Sequence, residues 1–180
     1  HDPIENMSDA QILSQIQVLN EDFSKTNADA VNIPAAFSLV AAGSNIQFAL
    51  AKQTPDGNPT TGITRTYTPH VGFAYDDVNS PMKFSAYGGH DSWNRDGYLN
   101  IWVCNMPGGV GGFAQFPGGP ATTDGIVIKY TLFGTTGVLQ PNYQRGRVLT
   151  HEVGHWLNLR HIWGDYQCGN DYVLDTPTQE

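Results

Sequence analysis

His151-Glu152-Val153-Gly154-His155-Trp156-Leu157-Asn158-Leu159-Arg160-His161 is the stretch on which the reading of this chain turns. His151 and His155 stand four residues apart, so a helix would place both imidazoles on one face, one turn apart, where they can share a metal. Glu152 follows His151 directly and projects to the side, within reach of a water molecule beside the ion but not as a ligand. His161 lies six residues beyond His155. If the helix ran on, those six residues would turn His161 away from the other two. A break at Asn158 would bring it back. Asparagine enters the left-handed conformation at a helix C-terminus at small cost, although glycine does so more cheaply. The prediction is a helix that ends near Asn158 and a reversal that converges three imidazoles on one ion.

Three histidine ligands leave a fourth position open, which is the catalytic rather than the structural pattern of zinc. Zinc polarises a carbonyl and lowers the pKa of water to about 7. Glu152 would accept the proton of that water and later hand it to a leaving amine. A lone His-Glu-x-x-His can be an accident of any exposed helix, but the third histidine with a reversal residue between argues for a metal site. His1, His70 and His90 sit in loop-like sequence and are expected on the solvated surface. Trp156 and Trp163 are expected in the core.

Outward from this stretch the periodicity divides the chain. Val148, Leu149, Val153, Trp156 and Leu157 recur at helical spacing from about Asn142 onward. Near the start, Ser8 can cap a helix with Gln11 at the capping-box position, and Ile12, Ile16, Leu19 and Phe23 form one apolar stripe over about 16 residues. Asn45 to Ala51 alternates and reads as a strand, with Gly62 to Thr68 as its neighbour. Residues 69–97 read as a long surface loop. Tyr98 to Cys104 is the most apolar strand candidate and is expected at the centre of a sheet. Met106 to Gly119 holds a short strand or edge segment around Phe113–Phe116, and Asp124 to Leu132 a further strand.

Composition bounds the function classes. The chain of 180 residues is 39% hydrophobic and 11% aromatic, enough for a packed core. Charged residues are sparse at 14%, while 20 Gly and 11 Pro point to many turns. The net charge of -8 and pI near 5.0 disfavour nucleic-acid backbones and anionic lipids as partners. No run approaches the roughly 18 apolar residues of a membrane span. The start at His1 reads as a processed or trimmed product. Cys104, in an apolar run, is expected to be a buried thiol. Cys168 could pair with Cys104, with a cysteine outside this chain, or with nothing.

The stretch from His151 to His161 resembles the long zinc motif of metzincin metallopeptidases. With Trp156, with Cys168 and Asp175-Thr176-Pro177 downstream, and with Leu99–Cys104 and Ala114–Gly119 upstream, the chain is similar to the pappalysin family, in particular its ulilysin-like members. The resemblance covers nearly the whole chain. It implies an α+β fold: a metzincin-like upper subdomain over residues 1–161, with a twisted mixed sheet, a backing helix and an active-site helix. Residues 162–180 would begin a lower subdomain that is otherwise absent from this chain. It implies a secreted zinc endopeptidase with His151, His155 and His161 as zinc ligands and Glu152 as general base. Gly112, Phe113, Ala114, Gln115 and Phe116 match the edge strand along which an extended protein or peptide substrate lies. A calcium ion is implied for the loop after the third histidine, with Asp171, Thr176 and Glu180 and the Leu174 carbonyl as oxygen ligands.

Three features depart from the family pattern. No methionine follows Met106, whereas metzincins carry a methionine turn beneath the zinc. Only seven residues precede Ser8, where the family has a strand. Asn158 stands where the family usually has glycine. The expectation is a fragment, a cleaved product or a partial chain, and its counterpart is a metal- and peptide-binding module without turnover. A zinc hydrolase of non-peptide amides is a third reading, which no residue specifically supports.

Overall fold

The computed structural model describes residues 3–76, 80–174 and 176. Helix α1 spans Asp9–Phe23 and begins where Ser8, in extended conformation, accepts a hydrogen bond at Oγ from the Gln11 amide at 3.2 Å. Asp9 in its first turn faces the positive end of the helix dipole. Strand β1 is Ile101–Cys104, β2 is Gly112–Ala114 and β3 is Ile126–Lys129. Helix α2 is Arg147–Trp156. Short 3-10 turns fill many of the connections.

The sheet is mixed, in the order β1-β3-β2. β3 runs parallel to β1, with Trp102 opposite Val127, and antiparallel to β2, with Phe113 opposite Val127. β3 is therefore the central strand, and the expectation of a central Tyr98–Cys104 is corrected. The physical reason lies in burial: Ile126, Val127 and Ile128 are fully buried, while every residue of β1 is only half-buried. Alternation sends Ile126 and Ile128 to one face and Val127 to the other. The first pair joins Met7, Leu19, Phe133, Leu149 and Val153 in a core under α1 and α2. Val127 joins Phe73, Met82 and Met106 beneath the sheet. A strand covered on both faces reads as a continuous apolar run, not an alternating one.

That second core corrects the reading of residues 69–97 as a surface loop. Phe73 and Met82 are buried there, and so is Lys83. The Lys83 ammonium donates to the Thr123 carbonyl at 2.6 Å and lies over the Trp102 and Phe113 rings. Burial pulls its pKa down to about 8, with Asp124 acting in the opposite direction.

The expected strands at 45–51 and 62–68 are not paired in the sheet. The Asn20 side chain takes the Phe48 amide at 2.8 Å and donates to the Phe48 carbonyl at 2.9 Å, so α1 satisfies the backbone there instead of a neighbouring strand. The one bridge nearby, Gln53 to Pro59, closes a local turn. The strand expected at Asp124–Leu132 shortens to β3, because Tyr130–Leu132 turns as a 3-10 helix. The buried face of α1 is also displaced from the expected stripe. Gln11, Gln15, Val18 and Leu19 face inward, while Ile12, Ile16 and Phe23 are only half-buried. Gln11 does not complete a capping box. Its Nε2 donates to the carbonyls of Phe133 at 2.9 Å and Tyr130 at 3.2 Å, and its Oε1 accepts from the Val138 amide. Buried polar side chains here satisfy a connecting segment that would otherwise leave its backbone unpaired.

Cys104, expected to be buried, is half-buried, and the burial of its thiol pushes the pKa up to about 12. Cys104 and Cys168 do not bond to each other. No helix among the described residues is long and apolar enough to cross a membrane.

Candidate metal centre

α2 is fixed at its start and along its back. Gly146, at φ +66°, precedes the helix and accepts from Gln15 Nε2 at 3.0 Å. A Cβ there would lie 3.0 Å from the Gln15 Oε1 in a backbone conformation that disfavours L side chains. Arg147 and Thr150 both reach the buried Asp22 of α1, at 3.0 and 2.7 Å. Leu149 and Val153 fill the core. The helix is held to the fold by this side, and His151 and His155 lie one turn apart along another.

The helix ends at Trp156. Asn158 has φ +76°, its amide bonds the His155 carbonyl at 2.9 Å, and the Leu159 amide bonds the Gly154 carbonyl at 2.9 Å. The chain doubles back at this residue, where the sequence placed the reversal. The three imidazoles converge. His155 Nε2 lies 2.9 Å from His151 Nε2 and 3.2 Å from His161 Nε2, and the latter two are 3.1 Å apart. Among the described residues this is the one cluster of three or more side chains with metal-ligand chemistry.

The other ring nitrogens decide what this cluster can hold. His155 Nδ1 meets the Leu159 carbonyl at 2.7 Å, and His161 Nδ1 meets the Asp165 carboxylate. A carbonyl and a carboxylate can only accept, so both Nδ1 atoms donate and both Nε2 atoms present lone pairs. The hydrogen bond from His161 holds the Asp165 carboxyl below its usual range, which keeps it an acceptor. Burial lowers the pKa of His151, and the two other imidazoles push it the same way. Neutral imidazoles that aim lone pairs at one point repel unless a cation lies between them. Nitrogens about 2.0–2.1 Å from one tetrahedral zinc stand about 3.3 Å apart, close to the spacing seen. The donor set thus fits a zinc ion.

Glu152 is buried beside this cluster, only 6% exposed. Burial pushes its carboxyl up to about 7, against the opposing influence of His161. Gly112 of β2 passes so close that a Cβ there would be 3.2 Å from Glu152 Cγ and 3.0 Å from the Val127 carbonyl. β2 pairs with β3 on one side, and no strand of the described residues lies on the other. Of the five residues expected along the edge, Gly112, Phe113 and Ala114 form the strand. Gln115 turns its side chain back to Thr123 and to the Pro120 carbonyl, and the Phe116 ring lies 5.4 Å from that of His155.

Asp171 is buried, with Oδ1 accepting from the Val173 amide at 3.0 Å, while Leu174 is fully exposed and Thr176 half-buried. Glu180 and His1 fall outside the described residues. His70 is exposed, whereas His90 is half-buried, with Nδ1 2.7 Å from the Asp91 carbonyl. Trp156 packs against the core and donates to Asp124 at 2.9 Å. Trp163 is not core: it is 45% exposed and stacks on His161, rings 4.4 Å apart and 5° from parallel. Neither Trp163 nor Asp165 was expected at the centre. The spacing of four from His161 to Asp165 was the available signal, and the turn between them hid it. A cavity of about 1040 Å3, lined by residues of α1, β1 and segments 47–53 and 62–67, contains none of the clustered histidines.

Residues 85–180 match the family model of peptidase family M43, described as pregnancy-associated plasma protein-A. The structure is similar to that of mature mirolysin from Tannerella forsythia in complex with a cleaved peptide, with a TM-score of 0.94 and 50% identity over 99% of this chain and 67% of that one. An extracellular metalloprotease of Sordaria macrospora is 27% identical over 172 residues, and one of Neurospora crassa is 27% identical over 171. The match takes in 83% of this chain in both cases, and the chain spans 58% and 57% of those relatives' lengths. The mixed sheet with its two helices is the metzincin arrangement. The chain belongs to the pappalysin family of metallopeptidases, peptidase family M43.

Proposed function

We propose that this chain carries the catalytic centre of a secreted zinc endopeptidase that hydrolyses peptide bonds in proteins. The observation that carries the reading is the meeting of three imidazole Nε2 atoms within 3.2 Å of one another, with a buried carboxyl beside them. His151, His155 and His161 would hold the zinc, which supplies a Lewis acid for the scissile carbonyl and acidifies water. Glu152 holds and moves the proton. A carboxyl pushed up to about 7 can take a proton from water near neutrality and release it to the departing amine. Gly112–Ala114, with Gln115 and Phe116 following, would receive an extended substrate main chain to main chain along the open side of β2. The absence of a side chain at Gly112 keeps that strand close to Glu152. Residues 1–161 would form the upper subdomain and 162–180 the beginning of the lower one. Secretion is supported by the relatives named extracellular metalloproteases, and a peptide partner by the cleaved peptide bound to mirolysin.

Glu152→Gln is the deciding variant. It should bind zinc at one equivalent by elemental analysis and lose chelator-sensitive cleavage of a denatured protein. A variant that still cleaves at the wild-type rate would exclude this mechanism.

Calcium belongs to the same proposal. Asp171, the Leu174 carbonyl, Thr176 and Glu180 offer hard oxygen ligands in the loop after His161. Calcium should raise the melting temperature, and Asp171→Ala should remove most of the gain. Identical melting with and without calcium would refute the site.

A further inference from the structure

We propose that Asp165 is a positioning residue that sets the tautomer and basicity of His161, so that the turn after the third histidine governs how tightly the centre holds its metal. The inference rests on the reading of the three histidines as a zinc site.

The three imidazoles are not held alike. His151 and His155 ride on α2, whose backbone fixes their spacing. His161 lies beyond the helix and takes its orientation from side chains. Trp163 covers one face of its ring, almost parallel. His151 stacks against it at 5.0 Å and 25°. These contacts fix the plane of the ring but not the nitrogen that carries the proton. Asp165 supplies that choice by accepting from Nδ1. His155 has only a neutral carbonyl in the equivalent place. A carboxylate partner raises the electron density of a ligating imidazole more than a carbonyl does, and partners of this kind are typically worth about 10–100-fold in metal affinity.

The backbone is built to make this contact. The Gly164 amide bonds the His161 carbonyl at 2.8 Å and closes a turn. Gly164 and Asp165 both adopt left-handed φ, +61° and +65°. A Cβ at Gly164 would lie 2.3 Å from the Asn170 amide, so only glycine fits there. A non-glycine residue at positive φ costs free energy and persists where the surroundings demand it. Here the left-handed pair returns the Asp165 carboxylate to the ring it follows by four residues.

The test uses protein made from its full reading frame, with wild type, Asp165→Asn and Asp165→Ala compared by zinc competition against a chromophoric chelator. Asn keeps an acceptor for Nδ1 but not the charge. The expected order is wild type tightest, Asn intermediate and Ala about 10–100-fold weaker than wild type. Nitrogen-detected NMR of the metal-free protein should show His161 as the Nδ1–H tautomer in wild type and as a mixture in Asp165→Ala. Ala binding zinc as tightly as wild type, or an unchanged tautomer, would overturn the role of Asp165 and leave the zinc site standing. If Ala does not fold, the comparison of Asn with wild type decides: equal affinities overturn the proposal. A wild type that binds no zinc would instead remove the proposed function itself.

Discussion

Gly112 is the residue where the open edge of β2 meets Glu152. An added methyl would lie 2.9 Å from Ile128 Cδ1, 3.0 Å from the Val127 carbonyl and 3.2 Å from Glu152 Cγ. The first neighbour is a flexible tip, the second is backbone, and the third belongs to Glu152, the proposed proton carrier. Gly112→Ala should therefore displace Glu152 or the strand. The expected result is a loss of about tenfold to a hundredfold in kcat/KM, because misplacements of this size cost that much, with zinc still bound at one equivalent. Full activity in this variant would mean that strand and carboxyl are not coupled.

At the scale of the element, the end of α2 depends on a single left-handed residue. Asn158 at φ +76° carries a conformational cost that glycine does not. Asn158→Gly should leave the reversal in place and stabilise the protein by a few tenths to about 1 kcal/mol in urea unfolding, with zinc affinity unchanged. A fall in stability would show that the asparagine side chain makes a contribution larger than its backbone cost. α2 as a helix was legible in advance because its apolar residues repeat at helical spacing. The strands were less so. Phe48 alternates with its neighbours as a strand residue should, yet Asn20 takes up its amide and carbonyl. A periodicity of two records which side chains face inward, not which partner takes the backbone hydrogen bonds.

Across the whole molecule, α1 and the segment after it hold the N-terminal end of α2 through charge. Arg147 reaches Asp22 at 3.0 Å and Asp29 at 2.7 Å, and Arg145 reaches Asp29 at 3.4 Å. Hydrogen bonds from Asn27 and Arg147 hold the Asp29 carboxyl down to about 2, below the 3.8 of an unperturbed aspartate. Its folded pKa is lower than its unfolded one, so its contribution is complete above about pH 4 and is lost as pH falls through about 2. Asp29→Asn should melt below wild type at pH 7, and the gap should narrow as the pH is lowered from 5 toward 2. A gap that stays constant over that range would mean the ion pairs do not carry the difference.

The chain's own order of residues settled what can be settled by local spacing. Two histidines four apart on a helix, a reversal at Asn158 and a third histidine beyond it are short-range facts, since helix geometry and the left-handed preference of asparagine act within one or two turns. Long-range contact decided the rest. β3 became the central strand because both of its faces found apolar cover, from α1 and α2 on one side and from Phe73, Met82 and Met106 on the other. Gln11 and Gln15 turned inward because a connecting segment more than a hundred residues away needed its amides and carbonyls satisfied. The burial that moves Glu152 toward neutrality is likewise a property of packing, because desolvation depends on every segment that excludes water from a group, and no window of neighbouring residues contains them all.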